Sequence, residues 1–426
     1  MSHEDAAAAA TALTRWLLDV ACGALPGNAV RAVHTEHAGL GLVTDAPLVA
    51  GTTVLTIPIA ALIHDSDASA AAQRIVPQLS PHFDNNPAIA LACMLLLRSL
   101  DPADVTATTY CAALPETCPT PVLFETRVLD RLANLTAAPV FAHARDIATA
   151  LRALVLTPSA SLTPFGSALM DASAFTSPAD LCARLAWAYA MVESRAFRPF
   201  PSHPDRIALV PFGDLLNHSS VPGAANISHR LSPAGDVLQF VATRDVPAGT
   251  PLVMKYNDLS AADELVYYGF CEPETPFDAL QIGLTLPESD PPALRQLKSA
   301  VLRGPIENFR LVHTVNRDCD GAVNMLLSLR VVVATWEELV DVAGARVDDK
   351  SGDLDLDALQ ASAIVQGLGE HNDSAAYAAL KQLLSDMRDQ LLEVTASGGW
   401  PTDDCRVHAE GQVGMMRMVL EYFDLA

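Results

Sequence analysis

Between Asp205 and Glu272 the chain is a succession of short apolar segments, each closed by a turn: IALVPF, then LLNHSS, a polar connection, LQFVAT, the Pro247-Ala248-Gly249 turn, PLVMKY, and finally ELVYYGF. Strands of this length, punctuated by proline and glycine, belong to a small curled sheet. The same grammar holds from Val30 to Pro58, where VRAVHTE, GLGLVT and TTVLTIP alternate with glycine breaks. VTDAPLVAGTTVLTIP in this early part echoes VATRDVPAGTPLVMKY in the later one. The echo predicts two similar hairpins in one sheet. It is not a repeat array, because two copies cannot build a solenoid.

Helical patterns interrupt and flank these strands. Residues 5–25 predict an alanine-rich amphipathic helix with Leu13, Trp16, Leu17 and Val20 on one face. Asn86-Pro87 opens IALACMLLLRSL with a cap and a first-turn proline. LCARLAWAYAMVESRAF brings the chain back to the strands. After residue 285 the pattern is helical again. Asp290 stands as an N-cap before Pro291-Pro292, Thr335-Trp336-Glu337-Glu338 is a capping box, and residues 374–394 place Leu380, Leu383, Leu384, Met387 and Leu391 on one face. The class is therefore α+β. The expected organisation is an N-terminal helix (1–27), a first sheet segment (28–60), a helical insertion (61–190), a second sheet segment (191–285) and an all-helical domain (286–426).

Charge and cysteine usage narrow the functions. With 27 basic and 50 acidic side chains the formal net charge is −23, which repels phosphate backbones and anionic lipid and attracts basic protein surfaces. Nucleic acid and membrane are not expected partners. The apolar run Ala88 to Leu97 is far below the roughly 18 residues that span a bilayer. The acidic start MSHED does not read as a secretory signal or an organellar transit peptide. Cysteines at 22, 93, 111, 118, 182, 271, 319 and 405 lack metal-ligand spacing, which fits reduced thiols and a cytoplasmic or nuclear setting. His34 and His37 fall on a strand and a turn and do not share a face, so no metal is expected. His203, His229, His313, His371 and His408 stand singly and read as surface or capping groups. Neither HExxH, a Walker loop nor a GxSxG elbow occurs.

Asp214-Leu215-Leu216-Asn217-His218, Tyr256 at a strand end, and Glu264-Leu265 leading to Tyr268-Gly269-Phe270 resemble, in order and spacing, the catalytic half of a SET-domain protein methyltransferase. The likeness is to the branch with a split SET domain and a helical C-terminal domain, that of Rubisco large-subunit and ribosomal-protein lysine methyltransferases. Tyr110 with Leu114-Pro115 and Thr120-Pro121 resembles a motif of that branch's inserted lobe, and Ser194-Arg195-Ala196-Phe197 its SRAF motif. The resemblance implies the pseudoknotted SET fold, S-adenosylmethionine as cofactor, and a lysine-bearing, non-histone protein as substrate. Tyr256 is then the catalytic tyrosine. Gly39, Leu40, Gly41, Arg195, Asn217 and His218 contact the cofactor, while Phe197, Asp214 and Tyr268 line the lysine channel.

The residue types agree with that chemistry. Methyl transfer to an amine needs alignment and exclusion of water, and an apolar aromatic channel lowers an ammonium pKa toward neutrality. An arginine fork suits a carboxylate. On residue type alone, however, Gly39–Leu42 reads as plain strand, Arg195 as a surface ion pair, Phe197 and Tyr268 as packing, and Asp214 as a structural acceptor. The sequence also departs from the pattern: Ala261-Ala262 stand where relatives often carry a serine-asparagine pair, and Cys271 lacks the companions of a zinc-binding tail. Two rival readings stay open here, a catalytically silent binding module on the same fold and transfer to histidine.

Overall fold

The apolar run that is too short for a membrane is core. In a computed structural model, which describes residues 3–21, 23–25, 30–35, 39–64, 86–99, 103–136, 138–171, 175–273, 275–303, 311–339 and 368–425, every residue from Ala88 to Leu97 is buried in one helix. The chain divides into two compact units, one of residues 1–129 with 143–275 and one of residues 130–142 with 276–426. Residues 130–142, which lie within the helical insertion of the sequence, thus pack with the second unit.

The first unit holds the sheet. Its strands are β1 (Val30–Thr35), β2 (Gly39–Thr44), β3 (Thr53–Pro58), β4 (Ile63–His64), β5 (Ala208–Leu209), β6 (Asn217–His218), β7 (Ile227–Leu231), β8 (Val237–Ala242) and β9 (Pro251–Met254). Seven of them form one sheet in the order β1-β2-β9-β7-β8-β3, with β6 on β9, and β4 pairs with β5 separately. Most pairs are antiparallel, but both β6 and β7 run parallel to β9. Around the sheet lie α1 (His3–Arg15), α2 (Pro87–Ser99), α3 (Val105–Ala113), α4 (Pro164–Asp171) and α5 (Pro178–Arg195). Asn86 Oδ1 accepts the Ile89 N–H at 3.1 Å and Pro87 takes the first helical position, so α2 begins as its sequence predicts. α2 packs against α5, which delivers Ser194-Arg195 to the sheet.

The echoing segments are not the two hairpins that the sequence predicts. In the sheet, β9 lies beside β2 and β8 beside β3, so the segments pair with each other across a local pseudo-symmetry. Leu42 faces Leu252, Ile57 faces Leu238, and at the centre Leu48 and Val246 exchange N–H···O bonds of 2.8 and 2.9 Å. The connections carry Pro47 and Pro247 and are too long for a two-residue hairpin turn. Crossing the counterpart segment satisfies their backbone groups.

In the second unit, β10 (Ala279–Leu284) and β11 (Leu311–Asn316) form a two-stranded antiparallel sheet. They accompany α6 (Pro292–Val301), α7 (Ala322–Val333), α8 (Glu370–Ala396) and α9 (Asp403–Tyr422). α8 buries Leu380, Leu384, Met387 and Leu391 of the predicted face, with Leu383 half-buried, and packs on α7 and α9. The capping box forms, with the Thr335 N–H reaching Glu338 at 2.8 Å and the Glu338 N–H reaching Thr335 Oγ1 at 3.3 Å. Asp290 does not cap α6. Its carboxylate accepts from the buried Lys298 ammonium at 2.7 Å, because that charge has a larger need of a partner than an exposed helix end does.

His408, expected as a surface or capping group, is 2% exposed inside α9. Burial pushes its pKa from 6.5 down to about 4. Below pH 6.5 the unfolded chain therefore binds a proton that the folded chain refuses. This contribution to stability is complete above 6.5 and is lost as pH falls toward 4. In urea unfolding at pH 7 and pH 5, His408→Leu is expected to remove roughly 1–2 kcal/mol of the wild-type loss. An equal loss in both proteins would sink this assignment.

Candidate active site

The site grows from the end of β9. Two residues beyond Met254, the Tyr256 N–H donates to His218 Nδ1 at 2.9 Å. An imidazole nitrogen that accepts carries no proton, so the His218 proton sits on Nε2. Nε2 then donates to Ser220 Oγ at 2.7 Å, and the Ser220 hydroxyl donates to Glu264 Oε1 at 3.1 Å. The other Glu264 oxygen accepts the Glu272 N–H at 2.7 Å, and a Glu272 oxygen accepts the Ser220 N–H at 2.7 Å. This chain ties segment 217–220 to segment 256–272 where the two meet. Burial lowers the His218 pKa, opposed by Glu272 and assisted by Lys255, in keeping with the neutral ring that the hydrogen bonds require.

His218, Glu264 and Glu272 offer ligand atoms within 4.8 Å of one another, a spacing that a metal could use. Each is already committed inside the chain just described, and the neutral His218 ring presents a proton on Nε2 and its lone pair to a backbone amide. We read the group as a hydrogen-bonded clamp.

Tyr256 is half-buried, and its hydroxyl donates to the Leu216 carbonyl at 2.6 Å. The ring lies 5.2 Å from Tyr268 and 4.9 Å from His218, and Phe270 sits tilted at 6.0 Å from both Tyr268 and His218. Burial raises the Tyr256 phenol pKa and pushes that of Tyr268 up to about 12. Both therefore stay protonated. These tyrosines wall a cavity of about 650 Å³ shared with Phe197, Arg195, Asp214 and Glu193. Phe197 is held edge-on to Phe240 at 6.0 Å and to His229 at 5.4 Å.

One wall is ionic. Arg195 Nη1 donates to Asp214 Oδ2 at 3.1 Å, and the Tyr110 hydroxyl donates to the same oxygen at 2.7 Å. Asp214 Oδ1 and Arg195 Nε are buried without a partner, a spare acceptor and a spare donor. Buried polar atoms without partners are uncommon, and in a cavity wall they suit a polar ligand. Glu193, one turn from Tyr189 and hydrogen-bonded to it, has its carboxyl pKa raised by burial.

Of the residues singled out in the sequence, Tyr256, Tyr268, Arg195, Phe197 and Asp214 meet in this cavity. Asn217 and His218 form β6 just behind it, and Gly39, Leu40 and Gly41 lie on β2. Gly41 backs onto Asn217: a Cβ there would come within 2.8 Å of the Asn217 Nδ2. The alanines at 261 and 262 do not leave the following turn unsupported. Ser260 and Asp263 form a capping box around them, with bonds of 3.1 and 3.2 Å.

Four contributors were not singled out for the site: Ser220, Glu272, Glu193 and Tyr110. Ser220 and Glu272 are ordinary loop residues until the two segments cross. Glu193 precedes the Ser194-Arg195 pair, and its position one turn after Tyr189 is the available signal. Tyr110 stands in a motif of the insertion, and nothing in its neighbours connects it with a residue 104 positions away.

The model of the family described as "SET domain" matches residues 39–257, just over half of the chain. The Rubisco large subunit N-methyltransferase of Nicotiana tabacum is 26% identical over 264 residues, 59% of this chain and 49% of that protein. The actin-histidine N-methyltransferase of Canis lupus familiaris is 28% identical over 259 residues, 59% of this chain and 41% of that protein. The chain thus matches half or less of each of these relatives. Among solved structures, that of the SET domain of LSMT bound to methyl-lysine and S-adenosylhomocysteine aligns with a TM-score of 0.68. That match covers 98% of this chain and 91% of the other at 17% identity, a likeness of fold.

Removing the clamp's central hydroxyl is expected to cost about 1–3 kcal/mol, because buried Glu264, 0% exposed, would lose a donor. Chemical denaturation of Ser220→Ala measures it. Unchanged stability would show that the hydroxyl does not support the crossing.

Proposed function

We propose that this chain, which belongs to the SET-domain family, is an S-adenosylmethionine-dependent protein-lysine N-methyltransferase acting on a non-histone protein. The observation that carries the reading is Tyr256, held at both its N–H and its hydroxyl at the wall of an aromatic cavity.

The residues present fit the cofactor. Arg195 Nε is a spare buried donor for the cofactor's carboxylate, while Asp214 Oδ1, on the lysine side of the cavity, is a spare acceptor for an amine N–H. Asn217, its packing partner Gly41, the neighbouring Gly39 and Leu40, and the His218 backbone would complete the cofactor's side. When bound, S-adenosylmethionine supplies a methyl group whose carbon–sulfur bond breaks, the electron pair passing to sulfur, as an amine nitrogen bonds the carbon.

The chain's own residues do the rest. The lysine must react as its neutral amine, and the apolar faces of Phe197, Tyr256 and Tyr268 disfavour the charged ammonium. The Tyr256 hydroxyl gives its proton to Leu216 and keeps its lone pairs for the amine N–H, which orients the nitrogen without removing a proton. Burial keeps the phenol protonated and so leaves no phenolate to act as a base, and positioning is its contribution. The acidic chain, net −23, suits a basic substrate surface.

The similarity to an actin-histidine methyltransferase supports histidine transfer as a second reading, and mass mapping of the modified residue separates the two. Tyr256→Phe is expected to lower the methylation rate by at least about tenfold while calorimetric affinity for S-adenosylmethionine stays within about twofold. Equal rates would remove Tyr256 from the mechanism. If the parent protein binds no S-adenosylmethionine, the silent-module reading replaces this one.

A further inference from the structure

Tyr110 reaches the cavity wall from α3, a helix of the inserted segment, and its position is fixed by burial rather than by sequence neighbours. The side chain is 1% exposed, and its hydroxyl gives a 2.7 Å hydrogen bond to Asp214 Oδ2. That oxygen also receives Arg195, and the Asp214 side chain is itself 1% exposed. A carboxylate in such a place keeps its charge only if donors surround it. Two donors are present, from two different helices, and Tyr110 makes the shorter of the two bonds.

Loss of that charge would matter to a cavity that must admit a cation. Were Asp214 protonated, Arg195 would stand uncompensated in the wall, and its fork would lose the contact that aims Nε. We propose that Tyr110 is a positioning residue for this site: its hydroxyl keeps Asp214 ionised and so holds Arg195 in place, making the inserted helices a working part of the ligand pocket. The proposal rests on the methyltransferase reading for what the pocket binds, but not for the link between Tyr110 and Asp214.

The groups facing Asp214 are Arg195 from α5, Tyr110 from α3 and Tyr256 beyond β9, with Cys111 beside Tyr110. Burial raises the Asp214 pKa, and Arg195 and then Tyr110 hold it down against that rise. Tyr110→Phe keeps the ring and removes the second brake. An ionised Asp214 would then persist only at higher pH.

The test measures S-adenosylmethionine affinity by calorimetry between pH 5 and 9 for the parent, Tyr110→Phe, Asp214→Asn and the double variant. Expected is near-parental affinity for Tyr110→Phe at the alkaline end, with the acid-side loss beginning roughly one pH unit higher. Asp214→Asn should show no such limb, and adding Tyr110→Phe to it should change nothing. A uniform loss at every pH, or an unmoved limb, would overturn the proposal and leave Tyr110 a packing residue. Carbon-13 titration of the Asp214 carboxyl needs no cofactor. If the parent binds no S-adenosylmethionine, the methyltransferase reading alone fails, and this titration still decides Tyr110 by whether the Asp214 midpoint rises in Tyr110→Phe. Should Tyr110→Phe not fold, 3-fluorotyrosine incorporated at position 110 decides: its more acidic phenol is a stronger donor, so the Asp214 midpoint is expected to fall below the parent's, and an unmoved midpoint refutes the role.

Discussion

Tyr256 can present its phenol to the cavity because its backbone amide is already spent on His218 Nδ1, and that bond exists only while the imidazole is neutral. From this follow the tautomer, the donation to Ser220, and the engagement of Glu264 and Glu272. The clamp is made of polar groups in a buried place, where half-satisfied partners cost more than none. Completing it therefore fixes where segments 217–220 and 256–272 cross, and with them the tyrosine and the turn that carries Tyr268.

A second polar structure, the Arg195–Asp214 pair with Tyr110, faces the cavity itself. Such a pair seldom adds stability over apolar packing of the same volume. Its placement in a wall with a spare donor and a spare acceptor is better explained by a ligand than by folding. On the proposed reading, the His218 clamp holds the backbone and the ionic wall holds what enters.

Much of this was legible beforehand. The α+β class, the helices begun by Asn86 and Thr335, and the meeting of Tyr256, Tyr268, Arg195, Phe197 and Asp214 were readable because each rests on a local pattern or on a motif with fixed spacing. The two echoing segments were misread as hairpins, since their likeness specifies strand and turn but not which strand is the neighbour. His408 and Asp290 were misread for the same kind of reason. Each has an ordinary local role, at a surface or a helix end, that tertiary burial and the demand of the buried Lys298 overrode.

The sequence by itself determined the fold class, the family resemblance and, through that resemblance, five residues of the cavity wall, because periodicity and motif spacing act over a few residues. Tertiary structure alone decided that Tyr110 meets Asp214 across 104 positions, that Ser220 and Glu272 complete the clamp, and that the echo pairs crosswise. The physical reason is common to all three. Buried hydrogen-bond partners are chosen by which groups lose water together, and that is set by packing between segments far apart in the chain.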